Sequence, residues 1–208
     1  LLAELESLGL AGAHMDGAGN VIATLPAAAG VTAPVLALIA HMDTSPDASG
    51  ENVKPRIVRY EGGDLPLSDA VSLTESLCPG LSAHAGEELI VTDGTTLLGA
   101  DDKAGIAIIL QAVEELLAEK APHGKICLGF TPDEEIGMGA SFFDVSGFGA
   151  DFAYTLDGGD ITDFEYETFN AAMAHITVNG FSIHPGTAKD KMKNAILMAG
   201  EYLSLIHI

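Results

Sequence analysis

Cysteine occurs only twice in the 208 residues, at Cys78 and Cys127. That is too few for a disulfide framework, and the two are too far apart in sequence to make a metal-type cysteine pair. Basic side chains are equally scarce. Lys plus Arg number 9 against 30 Asp plus Glu, a net charge of −21, which argues against nonspecific attraction to nucleic acid or to an anionic membrane surface. Acids, glycines or prolines interrupt every apolar run before it reaches membrane-spanning length. No internal repeat is present, and the 24 glycines are scattered among apolar stretches, so neither a collagen-like chain nor a low-complexity linker fits.

What the chain does have is a hydrophobic content of 48%, enough for a substantial core in one large domain, or in one domain and part of another. Residues 35–40, 125–130 and 152–156 are apolar runs of strand length, the pattern of strands covered on both faces in an α/β sheet. Cys127 falls inside the second run and reads as a small core residue. Residues 103–119 place apolar side chains at helical spacing, and Pro122 ends the helix.

The remaining stretches are expected to be peripheral. Residues 1–5 read as the last turns of a helix, and residues 14–16 and 21–24 as short strands about the turn Gly17-Ala18-Gly19-Asn20. Residues 44–82, rich in Pro, Gly, Ser and charge, read as a long surface excursion. Residues 89–92 and 95–98 are expected to form a hairpin about Asp93-Gly94. From residue 174 the character changes: weak alternation, a turn at Asn179-Gly180, a strand beginning at 181–183 and a helix over 194–203 suggest the start of a second, α+β domain. Both chain ends read as cut, so the chain is expected to be a fragment.

Chemistry gathers where the apolar strands end. The three runs lead into His41-Met42-Asp43, into Thr131-Pro132-Asp133-Glu134-Glu135-Ile136-Gly137 and into Asp157-Gly158-Gly159, while Gly99-Ala100-Asp101-Asp102-Lys103-Ala104-Gly105 heads the long helix. The crevice beyond the carboxyl ends of parallel strands is the usual ligand site of an open α/β sheet. His41 and Asp43, two apart on an extended segment, point to the same side. Each acid has a plainer role open to it: Asp102 as a helix cap, Asp43 and Asp157 as turn residues, Glu134 and Glu135 as the acidic first turn of a helix. Their coincidence at one crevice favours a metal centre. One imidazole among carboxylates, without thiolates, suits Zn²⁺ and also accommodates Mn²⁺ or Co²⁺. A bridging carboxylate would let two cations sit roughly 3.5–4 Å apart, with a nearby non-ligand Glu as general base.

Taken in chain order, the four motifs and His184-Pro185-Gly186 resemble those of the dinuclear zinc aminopeptidases and carboxypeptidase-like amidohydrolases, over nearly the whole chain. The runs Phe169-Asn170-Ala171-Ala172 and His184-Pro185-Gly186-Thr187-Ala188-Lys189 look like the tripeptide aminopeptidases among them. The resemblance implies an α/β catalytic domain over residues 1–168, a mixed sheet flanked by helices, with the beginning of an α+β lid or dimerisation domain over 169–208. It implies two zinc ions per complete subunit, with His41 and Asp157 binding one, Glu135 the other, and Asp101 bridging them. Asp43 would orient His41, Glu134 would be the general base, and the Asp101–Asp102 peptide would be cis. His184 and Asn170 would bind substrate.

The implied activity is removal of the N-terminal residue from tripeptides, in the cytoplasm, by an enzyme that pairs through its lid into a homodimer and has no nucleic-acid or membrane partner. A dipeptidase or an N-acyl-amino-acid deacylase would share the metal centre, and a non-catalytic metal-dependent binding module would have no use for Glu134. A distal histidine that completes the second zinc site in the family would lie beyond residue 208, so the second site is expected to be weak or empty in this span.

Overall fold

Six consecutive buried residues put strand β8 (Ile126–Thr131) in the middle of the main sheet. It pairs antiparallel with β2 (Val21–Leu25) and parallel with β3 (Leu36–His41). Strands β1 (His14–Met15) and β9 (Phe152–Thr155) complete the order β1-β2-β8-β3-β9. The sheet is therefore mixed, as the resemblance implies. The computed structural model describes residues 1–10, 12–159, 162–168 and 170–206. It divides into two compact units, Leu1–Asp163 and Phe164–Ile208.

Burial follows the sequence pattern. Strand β2 alternates, turning Val21, Ala23 and Leu25 into the core. Helix α2 (Ala100–Glu119) buries Ile109, Leu110 and Val113 in the same cluster as Leu128 and Phe130 of β8 and Leu5 of α1 (Leu2–Ser7). Each such large side chain, taken fully out of water, stabilises the fold by about 1.5–3 kcal/mol. Asp101 and Asp102 have non-helical dihedrals, so the regular turns of α2 begin at Lys103. The helix stops at Lys120, whose left-handed backbone turns its N–H back to the carbonyls of Leu116 and Leu117.

Register brings the three parallel strands to one edge. His41 lies opposite Thr131, and the Met42 N–H donates to the Thr131 carbonyl at 2.8 Å. The Leu156 N–H donates to the Ile39 carbonyl at 2.8 Å. The exits of β3, β8 and β9 thus stand side by side.

Residues 44–82 are more structured than expected. Strand β4 (Arg56–Arg59) pairs antiparallel with β7 (Glu88–Val91), and β5 (Leu65–Pro66) pairs with β6 (Ser72–Leu73). Together with the 3₁₀ turn Leu81–His84 they close a small core of their own around Tyr60, Leu65, Leu81 and Val91. The strand at 89–92 therefore pairs back with β4, and the hairpin about Asp93-Gly94 does not form. The Asp93 carboxylate accepts the Thr95 N–H at 2.9 Å, and the Leu97 N–H donates to the Ser49 carbonyl at 2.9 Å, which leads residues 95–98 away from β7.

The second unit holds helix α3 (Ala195–Ile206), and the N–H groups of Ile196 and Leu197 in its first turn donate to the Asn194 side-chain oxygen. A 3₁₀ turn at Pro185–Thr187 follows His184. The strand expected at 181–183 is reduced to a single antiparallel bridge between Phe181 and Lys193, since no second strand runs beside it among the described residues of this unit. Phe169, part of one of the resembling runs, and residues 207–208 lie outside the described residues. No described helix is long and apolar enough to cross a membrane.

Candidate metal centre

His41 ends β3 fully inside the protein, 2% exposed. Its Nδ1 faces the Asp43 carbonyl at 3.0 Å and the Asp43 Oδ1 at 3.2 Å. Its Nε2 faces Asp101 Oδ1 at 2.8 Å, with Asp157 Oδ2 at 3.8 Å and Glu134 Oε2 at 4.0 Å. Both ring nitrogens thus meet only oxygen acceptors. Either the ring carries two protons, or a proton on Nδ1 leaves the Nε2 lone pair for a cation held together with the carboxylates.

The acids come from different elements. Asp101, at the head of α2, precedes a cis Asp101–Asp102 peptide bond, and its side chain is 70% exposed. Asp157 follows β9. Glu134 and Glu135 lie in the turn after β8, where the Asp43 carboxylate anchors them: Oδ1 accepts the Glu134 N–H at 3.1 Å and Oδ2 the Glu135 N–H at 3.0 Å. The two glutamates sit in a hydrogen-bonded turn, closed by Gly137 N–H to the Glu134 carbonyl, and not in the first turn of a helix.

Asp102 is the residue whose part the sequence left undecided. Only 3% exposed, it accepts the Gly105 N–H at 3.2 Å with Oδ1, as a helix cap would, and the His41 backbone N–H at 3.1 Å with Oδ2. The capping half of this role was readable from its place before a helical run. The link to His41, 61 positions earlier, leaves no local trace in the sequence.

Electrostatics in the cluster favour protons or a cation. Burial lifts the Asp102 pKa to about 6, against the two N–H bonds that favour the carboxylate, and the charge of Asp157 adds to the lift. Burial also raises Glu134 and Asp157, the latter further through the negative charge of Asp101. His41 pays a desolvation cost that lowers its pKa, yet the Asp101 hydrogen bond and the charges of Asp157, Asp102 and Asp43 outweigh it and hold the pKa above its usual value. Among the described residues no Lys or Arg makes an ion pair with these acids.

Two groups bring their ligand atoms within 4.8 Å of one another: His41 with Asp101 and Glu135, and His41 with Asp102 and Asp157. The set of one imidazole and several carboxylates, crowded and uncompensated, fits a divalent cation. A cavity of about 660 Å³ opens beside it, lined by His41, Glu134 and Asp157 and by Ile39, Phe143 and Phe148. A smaller one of about 310 Å³ lies against Asp101, Glu135, Leu97 and Leu98. In the second unit, His184 is exposed and its Nδ1 accepts the Gly186 N–H at 3.2 Å, while Asn170 is exposed.

Comparison with known proteins gives a consistent picture. The sequence profile of peptidase family M20/M25/M40 matches residues 69–199. The chain is 55% identical to peptidase T of Halothermothrix orenii over 99% of its own length and 52% of that protein. Among solved structures, it resembles aminopeptidase PepT of Bacillus cereus, at 28% identity and a TM-score of 0.58 over 97% of this chain and 48% of that one. It also resembles a tripeptidase of Staphylococcus aureus, at 26% identity and a TM-score of 0.62 with the same coverage. The chain spans about half the length of the relatives it matches.

Proposed function

The chain belongs to peptidase family M20/M25/M40, and from that premise we propose that the complete protein is a cytoplasmic metallo-aminopeptidase that releases the N-terminal residue of tripeptides at a centre of two zinc ions. The observation that carries the reading is His41: a buried imidazole with oxygen acceptors at both nitrogens, set among acids delivered by three strand exits and the head of α2. The names of the relatives, peptidase T, aminopeptidase and tripeptidase, support the substrate class.

In this reading His41 and Asp157 would hold one zinc ion and Glu135 the other, with Asp101 shared between them. Zinc bound there supplies Lewis-acid polarisation of the scissile carbonyl and lowers the pKa of a water molecule. Asp43 accepts the His41 Nδ1 proton, which fixes the tautomer and aims Nε2 at the ligand acids. Glu134, the acid 4.0 Å from Nε2 with no ligand role, takes the proton of the attacking water and returns it to the departing amine. His184 and Asn170 bind substrate. Residues 1–168 make up the catalytic domain, and 169–208 begin a lid through which two copies pair.

Zinc content and substrate profile of the complete protein test the proposal together. About two zinc ions per chain, with cleavage of free-amino tripeptides and little of dipeptides or N-acylated amino acids, is the expected result. Preference for N-acylated substrates or for dipeptides would replace the aminopeptidase reading with a deacylase or a dipeptidase. Bound zinc with no hydrolysis would leave a binding module.

A further inference from the structure

We propose that Asp102 is a positioning residue of the metal centre, a buried strut that holds His41 and Asp101 at their working separation without binding metal itself. The inference rests on the metal-centre reading above. Its support is geometric. One carboxylate oxygen holds the backbone N–H of His41 at the end of β3, and the other holds the N–H of Gly105 in the first turn of α2. The carboxylate therefore ties the strand that carries the imidazole to the helix that carries Asp101, its own chain neighbour.

Gly105 extends the tie to the third strand exit. A Cβ there would overlap the Leu156 carbonyl oxygen and stand 2.5 Å from Asp102 Oδ1. Only a glycine lets α2 settle against the residue before Asp157 while its N–H reaches Asp102. One buried carboxylate thus ties β3 to the head of α2, and the glycine it holds is the one packed against the β9 exit.

Asp102 also belongs with His41 and Asp157 to a group whose ligand atoms lie within 4.8 Å of one another, so a direct ligand role is the competing account. Each Asp102 oxygen already accepts a backbone N–H, and the residue as a whole is 3% exposed, whereas the Asp101 side chain is 70% exposed. That division makes Asp101 the residue available to a cation and Asp102 the support behind it.

The test is Asp102→Asn in the complete protein, read by zinc titration against a chromogenic chelator, by kcat and KM, and by melting after chelation. Asparagine keeps one acceptor and sets an NH₂ against an N–H donor, so one of the two ties is lost. The expected result is an unchanged zinc count, zinc affinity weakened by about tenfold or more, and kcat reduced with KM near wild type. Asp102→Ser, which retains a small acceptor, replaces it if Asn does not fold.

Zinc affinity and kcat within about twofold of wild type would overturn the proposal, since such a difference is well below the effect of a lost supporting hydrogen bond. So would the loss of one zinc from the count, which would make Asp102 a ligand, or the failure of both variants to fold, which would make it a stability element. Zinc titration needs no turnover. A wild-type protein that binds zinc but cleaves no peptide defeats the functional reading alone, and one that binds no zinc removes the centre and this inference with it.

Discussion

Gly105 of helix α2 lies so close to the carbonyl oxygen of Leu156 that no methyl group fits between them. This contact sets how near the head of α2, with Asp101, comes to the strand exit that carries Asp157.

Gly105→Ala is therefore expected to push the helix off the sheet edge. The backbone carbonyl cannot swing aside as a flexible side chain could, so the cost should be that of an overpacked core, about 1–3 kcal/mol. Denaturant unfolding of the chelated protein measures it. A variant as stable as the parent would show that the helix and the β9 exit are not in fixed contact.

Glu134→Gln removes the proposed base and leaves the ligands in place. Zinc content should be unchanged, and kcat should fall by about 10²–10⁴-fold. Near-normal turnover would take Glu134 out of the mechanism.

Asp43→Ala frees the His41 Nδ1 and the backbone N–H groups of Glu134 and Glu135 at once. Because these contacts orient a ligand and the base, zinc affinity should weaken by about 10–100-fold and kcat should fall with it. Asp43→Asn should recover part of both, since its carbonyl can still accept one of these bonds. Equal losses in the two variants would mean that only the negative charge matters.

The pKa shifts give the metal-free protein an unusual pH response. His41, Asp102, Glu134 and Asp157 all have pKa values raised in the folded state, Asp102 from 3.8 to about 6. Each folded-state group binds its proton more tightly than the unfolded chain does, so its contribution is present at low pH and is lost as pH rises through the folded pKa. The chelated protein should melt at a higher temperature near pH 5.5 than near pH 7.5. Zinc competes with those protons and should raise the melting temperature more at pH 7.5. A chelated protein whose melting temperature rises with pH over this range would contradict the assignment.

Much of the site was legible because its residues follow apolar strands. Residues 35–40, 125–130 and 152–156 announce β3, β8 and β9, and a parallel sheet brings the exits of such strands together, so His41, Glu134 and Asp157 could be grouped from spacing alone. The little core around Tyr60, Leu65, Leu81 and Val91 was not legible. Its strands are two to four residues long and include Arg and Pro, too short for a period to show, and the pairing of Arg56 with Val91 spans some thirty-five residues. Asp93-Gly94 misled for the opposite reason: a good local turn signal lies where β7 already has a distant partner in β4. The cap role of Asp102 was local and readable, whereas its hold on His41 is purely tertiary.

The most direct test of the central claim is tripeptide hydrolysis by the complete protein before chelation, after chelation, and after zinc is restored. The account predicts release of the N-terminal residue that disappears on chelation and returns with zinc. Hydrolysis that continues undiminished in the chelated, metal-free protein would mean that the acids at the strand exits are caps and turn residues, and that the chemistry lies elsewhere.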